Sequence, residues 1–101
     1  MPAKLEVTGD IARIILSGDL DFSGQQNLET AIHQALSVES AKEIQVDMTH
    51  VSFIDSSVIR ALLNLQEMAK ARNKSLSLWN CNAQIRETFG IGGFDQLFVI
   101  H

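Results

Sequence analysis

The order of strand-like and helix-like segments is the feature that most constrains this fold. From position 44 onward, residues 44–48, 75–79 and 97–100 read as strands, and the first two alternate apolar and polar side chains. Between them, residues 59–69 and 85–89 carry apolar side chains at helical spacing. Strands that are joined through helices need crossover connections. The second half of the chain therefore predicts a largely parallel sheet.

The first half adds a hairpin and one more helix. Residues 5–7 and 11–16 read as strands around Gly9-Asp10, a pair that suits a tight turn. Ser23 is the predicted N-cap of a helix whose apolar residues recur from Leu28 to Leu36. The predicted order is β-β-α-β-α-β-α-β: an α/β fold with a small, mixed, largely parallel sheet that opens with a β-hairpin and has helices between the later strands.

Length and composition predict one domain and exclude several functions. A chain of 101 residues with 46% hydrophobic composition is long enough for one core, so residues 1–101 are taken as a single domain. The net charge of −4 gives no basic field for nucleic acid or anionic lipid. One cysteine, Cys81, and the lack of a leader or membrane-length apolar run favour a cytoplasmic protein.

Asp55-Ser56-Ser57 stands where the second helix is predicted to begin. In parallel α/β sheets, binding groups gather beyond the carboxyl ends of strands, where helix amino termini present free N–H groups. A phosphate on Ser57 would lie next to the positive end of the helix dipole, and Arg60, three residues on, would support it. The simpler interpretation is that Asp55 and Ser56 only cap the helix.

The context of this motif resembles the STAS domain, the family of anti-sigma factor antagonists and sulfate-transporter tails. The resemblance rests on residues 18–21, residues 46–57 with the strand, loop and Asp-Ser-Ser segment, and residues 89–98. It implies that Ser57 is the phosphorylation site, supported by Asp55, Ser56 and Arg60. It also implies a bacterial phosphoprotein that regulates transcription by partner switching.

The partners follow from the same resemblance. Unphosphorylated, the domain would bind a serine kinase that is also the anti-sigma factor; phosphorylation at Ser57 would release it, and a separate phosphatase would reset the cycle. The domain itself would catalyse nothing and need no cofactor. The implied partner-binding residues are Asp21, Ser23, Asp55, Ser56, Ser57 and Val58.

Val58 departs from the family pattern, in which glycine commonly follows the serine pair. A β-branched side chain there is expected to narrow the space beside the acceptor, unless it simply packs against the adjacent loop. The alternative function is then a constitutive STAS binding subunit of a lipid transporter or of a stress-sensing assembly.

An enzyme is the remaining alternative. His50 and Asp47 lie near Ser57 in the sequence, as a Ser/His hydrolase would need, but no nucleophile elbow is present and His50 is expected in an exposed loop. No histidine has a ligand partner at useful spacing, so no metal site is assigned. Phe53 is counted among the core candidates.

Overall fold

The computed structural model describes residues 3–20 and 25–101. Its strands and helices, in chain order, are β1 (Ala3–Thr8), β2 (Ile11–Leu20), α1 (Gln25–Leu36), β3 (Glu43–Ile54), α2 (Ser56–Ala71), β4 (Ser75–Trp79), α3 (Ala83–Ile91) and β5 (Val99–Ile100), with a short 3₁₀ helix (Phe94–Gln96) before β5. The strands form one sheet in the order β1-β2-β3-β4-β5. β1 and β2 are antiparallel, and every later pair is parallel. The predicted fold class and element order are confirmed.

One face of the sheet carries the core. Alternate residues of the three central strands are buried and belong to one hydrophobic cluster. They are Ala12, Ile14, Leu16, Ile44, Val46, Met48, Leu76 and Leu78. The buried sides of the helices, among them Leu28, Leu62 and Phe89, belong to the same cluster. Successive strand residues point to opposite faces of the sheet, so the buried alternate residues all lie on one face. The described helices cover that face and leave the other face open.

β3 is longer than the alternation of apolar residues predicts. The sequence indicates a strand that ends near Asp47, with a turn through residues 49–54, but the strand continues to Ile54. Its pairing with β2 shifts twice, and each shift leaves one extra residue on β3. The spacing of buried residues therefore changes from two to three, through Met48, Val51 and Ile54. This loss of period is why the prediction ended the strand too early.

Two smaller expectations are also wrong. Phe53 is 43% exposed, because the second shift turns it away from the core. The last strand is only Val99–Ile100, since residues 94–96 form the 3₁₀ helix and Leu97 ends it. Neither of these changes alters the order of the strands in the sheet. The third helix continues to Ile91 and is capped at Gly92, within a glycine-rich run that is typical of a helix end.

The open face of the sheet holds a polar network around Asp47. Its carboxylate accepts hydrogen bonds from the Thr49 backbone and hydroxyl and from the Asn80 amide, and lies 3.2 Å from an Arg13 nitrogen. Arg13 lies over the Trp79 ring at 5.7 Å. Burial raises the pKa of Asp47, but these hydrogen bonds and the arginine outweigh it and lower the pKa from 3.8 to about 2.

We predict that Asp47→Asn lowers the stability of the fold at neutral pH and makes that stability less dependent on pH in acid. A carboxyl with a depressed pKa stabilises the folded state above its unfolded pKa, and that stabilisation is lost as the pH falls from 3.8 towards about 2. The contribution is about 2 kcal/mol at neutral pH. Urea unfolding between pH 2 and 7 should show a lower free energy of unfolding for the variant at pH 7 and a flatter slope below pH 4. Equal slopes for both proteins would contradict this assignment.

Candidate functional site

The Asp55 side chain organises the start of α2. Asp55 is the N-cap, with extended backbone at φ −108° and ψ −179°. Its Oδ1 atom accepts hydrogen bonds from the backbone N–H of Ser57 at 3.0 Å and of Val58 at 3.1 Å. The same oxygen accepts the Ser57 hydroxyl at 2.5 Å. One carboxylate oxygen thus satisfies two otherwise unpaired amides of the first turn and orients the serine hydroxyl.

The two serines differ in their surroundings. Ser56 is exposed, whereas Ser57 is half-buried and has its hydroxyl on Asp55. Both lie in the first turn of a helix of 16 residues, whose amino-terminal end carries a partial positive charge. The geometry therefore separates a free surface hydroxyl at Ser56 from an oriented hydroxyl at Ser57.

Val58 corrects the predicted partner surface. Its side chain is 1% exposed and belongs to the hydrophobic core. A side chain that faces the core cannot contact a docked partner, and it does not narrow the solvent side of Ser57. The packing interpretation of Val58 is the one that the structure supports.

Arg60 lies one helical turn after Ser57 and is exposed. Its side chain lines a groove of about 470 Å³ between α1 and α2. Glu29 and Glu67 line the same groove, so carboxylates share it with the guanidinium. Arg60 is thus one helical turn from Ser57. That it would support a phosphate on Ser57 stays a prediction.

Asn82 ties the site to the rest of the molecule, a role that sequence reasoning missed. Its side-chain oxygen caps α3 by accepting a hydrogen bond from the Ile85 backbone N–H at 2.8 Å. Its amide nitrogen also donates to the carbonyls of Val51 and Ser52, each at 3.2 Å. These carbonyls belong to the bulged end of β3 that leads into Asp55. In the sequence, the one indication of these two roles is the residue type, because the asparagine side chain has both a hydrogen-bond acceptor and donors.

The other predicted residues do not all meet at this site. Asp47 is engaged with Arg13, Thr49 and Asn80 on the open face. His50 is exposed, but within β3, in register with Ser17, and not in a loop as expected. The Ser57 hydroxyl donates to a carboxylate, so the arrangement is not the Ser/His pair of a hydrolase. Asp21 and Ser23 lie outside the described residues.

Comparison with known proteins places the chain in a family. The family model described as "Mlab, STAS domain" matches residues 3–100. The chain belongs to the STAS domain family. A STAS-domain containing protein of Pseudomonas aeruginosa (strain UCBPP-PA14) is 30% identical over 92 residues, which cover 91% of this chain and 89% of that protein.

Two solved structures show the same fold. An anti-sigma factor antagonist from Mycobacterium paratuberculosis superposes with a TM-score of 0.86 at 19% identity, over 98% of this STAS chain and 83% of that chain. The Bacillus cell fate determinant SpoIIAA in its phosphorylated form gives a TM-score of 0.73 at 24% identity, over 98% and 90% of the two chains. Within residues 3–20 and 25–101, no helix is long and apolar enough to cross a membrane.

We predict that the Asn82 amide nitrogen stabilises the end of β3 independently of the α3 cap. Asn82→Asp keeps the oxygen that caps α3 but removes the donor to Val51 and Ser52, whereas Asn82→Ala removes both. We expect the alanine variant to lose about 1–3 kcal/mol of unfolding free energy and the aspartate variant about half of that. Urea unfolding measures both. An aspartate variant as stable as the wild type would show that the two bonds to β3 contribute nothing.

Proposed function

We propose that this STAS domain is a non-catalytic phospho-switch, an anti-sigma factor antagonist that binds a serine-kinase anti-sigma factor until Ser57 is phosphorylated. The observation that carries the proposal is the half-buried Ser57 hydroxyl, oriented by Asp55 at the amino terminus of α2. An acceptor hydroxyl must be held in one place while a kinase aligns its nucleotide with it. Ser57 meets that requirement, and the exposed Ser56 has no such oriented hydroxyl.

Phosphorylation at Ser57 would change two interactions at once. The phosphoester oxygen has no proton, so the hydrogen bond from the hydroxyl to Asp55 is lost. A group of about −1.5 to −2 charge then stands beside the Asp55 carboxylate, which still caps Ser57 and Val58. The helix amino terminus attracts the phosphate while Asp55 repels it. Phosphorylation would thus change the charge at the start of α2 without rearranging the core.

A partner would sense this change because the surface of the STAS domain on which it docks includes Ser57 and the residues around it. Phe53, 43% exposed, and the exposed Ser56 lie within a few residues of Ser57. An apolar ring beside neutral hydroxyls suits a protein interface that excludes water. A phosphate added there must lose hydration when the partner binds, and that cost would release the partner. The same surface would therefore account both for docking before phosphorylation and for release after it.

The relatives support the proposal without assigning it. The chain belongs to the STAS family, and similar solved folds include anti-sigma factor antagonists, one of them in a phosphorylated form. By analogy, the upstream enzyme is a serine kinase and the reset enzyme a phosphatase. The transfer moves the γ-phosphoryl group of ATP to Ser57 Oγ, while ADP leaves and the hydroxyl proton passes to a base of the kinase.

The first test is phosphorylation with matched serine variants. Incubation with ATP and a serine kinase of the anti-sigma factor type from the same organism should add one phosphate, measured by intact-protein mass spectrometry. Ser57→Ala should abolish the addition, and Ser56→Ala should retain it within about threefold, because Ser56 is exposed and its side chain does not orient the acceptor.

Two outcomes decide against this function. A phosphate that persists in Ser57→Ala would place the acceptor elsewhere. A stable complex with a partner that forms equally well before and after incubation with ATP, with no phosphate added, would instead support the constitutive binding subunit. Co-purification followed by identification of the partner separates a kinase from a transporter component.

A second test concerns Val58. Since this side chain is buried and does not face the acceptor, we expect Val58→Gly to cost stability without accelerating phosphorylation. The loss of a buried side chain and the poor helix propensity of glycine together cost about 2–3 kcal/mol of unfolding free energy. Thermal unfolding and the initial phosphorylation rate, both measured where the variant is folded, provide the comparison. A faster rate would show that valine does obstruct the kinase.

A further inference from the structure

We propose that the outer edge of β1 pairs with the same edge of a second copy of this chain, which forms a symmetric antiparallel dimer with a continuous sheet. The two edges of the sheet are unequal: β1 has six residues, whereas β5 has two. Short edge strands discourage pairing with another chain, and long ones present a row of free backbone groups. β1 is the edge that can accept a further strand.

The hairpin determines which backbone groups point outwards. Thr8 pairs with Ile11 across the two-residue turn Gly9-Asp10, where Gly9 has φ +60°. In a two-residue hairpin the residues that flank the turn form a hydrogen-bonded pair, and such pairs alternate with outward-facing ones along the strand. Ala3, Leu5 and Val7 therefore direct their N–H and C=O groups away from β2. Antiparallel pairing around Leu5 would satisfy these three residues in both copies.

The side chains of β1 also suit antiparallel pairing of two copies about Leu5. If Leu5 faces Leu5 of the second copy, then Lys4 faces Glu6 and Ala3 faces Val7, in both directions. A two-fold interface requires this reciprocity. The apolar residues then fall on the core side of the sheet, where Val7 is now 48% exposed. The charged residues fall together on the open face.

The charges favour this register. Lys4 and Glu6 already lie 3.7 Å apart in one chain, with side chains 73% and 51% exposed. An exposed pair of this kind contributes little within one chain. Across the dimer each charge would gain an opposite charge directly facing it, and Glu6 lies between Arg13 on β2 and Lys4 of the second copy. A pairing shifted by two residues would lose both of these contacts and would place Glu6 opposite Glu6 in one direction or Lys4 opposite Lys4 in the other.

Dimerisation would leave Ser57 accessible. β1 begins at Ala3, opposite Leu16, whereas β2 and β3 continue to Leu20 and Ile54 before the site. Ser57 therefore lies beyond the end of β1 by roughly 13 Å, four residues at strand rise. The two-fold axis reverses the second copy, so the two sites lie at opposite ends of the extended sheet. The inference is thus independent of the proposed phosphorylation.

Sedimentation equilibrium is the first measurement. Five paired residues make an interface smaller than that of a permanent dimer, so we expect reversible association over about 10 µM to 1 mM protein. At low ionic strength, where the Lys4–Glu6 contacts are least screened, the dimer should be strongest. A chain that remains monomeric throughout this range at low salt would overturn the proposal.

Charge exchange tests the register. Lys4→Glu alone places carboxylates opposite carboxylates, and Glu6→Lys alone places ammonium groups opposite ammonium groups, so each variant should dimerise about tenfold more weakly. An equimolar mixture of the two should associate again, because every facing pair is then opposite in sign. The double variant Lys4→Glu/Glu6→Lys should recover self-association for the same reason.

The outcomes distinguish the interface from a general effect of charge. All three variants should keep the wild-type circular dichroism spectrum, since both positions are exposed. Single variants that dimerise as the wild type does would place the contact away from β1. Single variants that are weakened but do not associate when mixed would exclude the antiparallel register about Leu5. Ser57→Ala should dimerise like the wild type, so failure of the phospho-switch does not affect this test.

Discussion

The parallel pairing of β2 with β3, interrupted by two one-residue shifts on β3, is the feature on which the functional site depends. Regular pairing would keep the period of two and would turn Val51 or Ile54 out of the core. With the shifts, both residues are buried while β3 continues beyond Asp47 to the start of α2. β3 thereby places Asp55 as the N-cap of α2, just beyond the carboxyl end of the central strand.

The site itself is a small extension of ordinary helix capping. Asp55 satisfies two amides, as many N-caps do, and its oxygen also accepts the Ser57 hydroxyl. Capping and the proposed function are therefore not competing explanations of this motif: the cap also orients the Ser57 hydroxyl, which is the proposed acceptor. Asn82 extends this arrangement, since its two ends join α3 to the last residues of β3. Asn82 thus holds the bulged part of β3, and Asp55 holds the helix start that follows it.

The two faces of the sheet have separate roles in stability. The helix-covered face supplies apolar burial, and the open face carries a hydrogen-bonded and ionic network in which Asp47 is central. Asp47 and Asp55 are both aspartates near serine or threonine, and the sequence already places the first in a strand and the second at a helix start. The structure adds their contacts: Asp47 is held by Arg13, Thr49 and Asn80 on the open face, whereas Asp55 caps α2.

The sequence alone determined the order of elements, the hairpin, the mixed sheet and the Asp-Ser-Ser start of α2, because each depends on local period, turn residues or caps. It did not determine the length of β3, the exposure of Phe53, the burial of Val58 or the double use of Asn82. The reason is that each of these depends on a contact between segments that are distant in the chain. A shift in pairing with β2 changes which side of β3 faces the core, and only the folded sheet defines that shift.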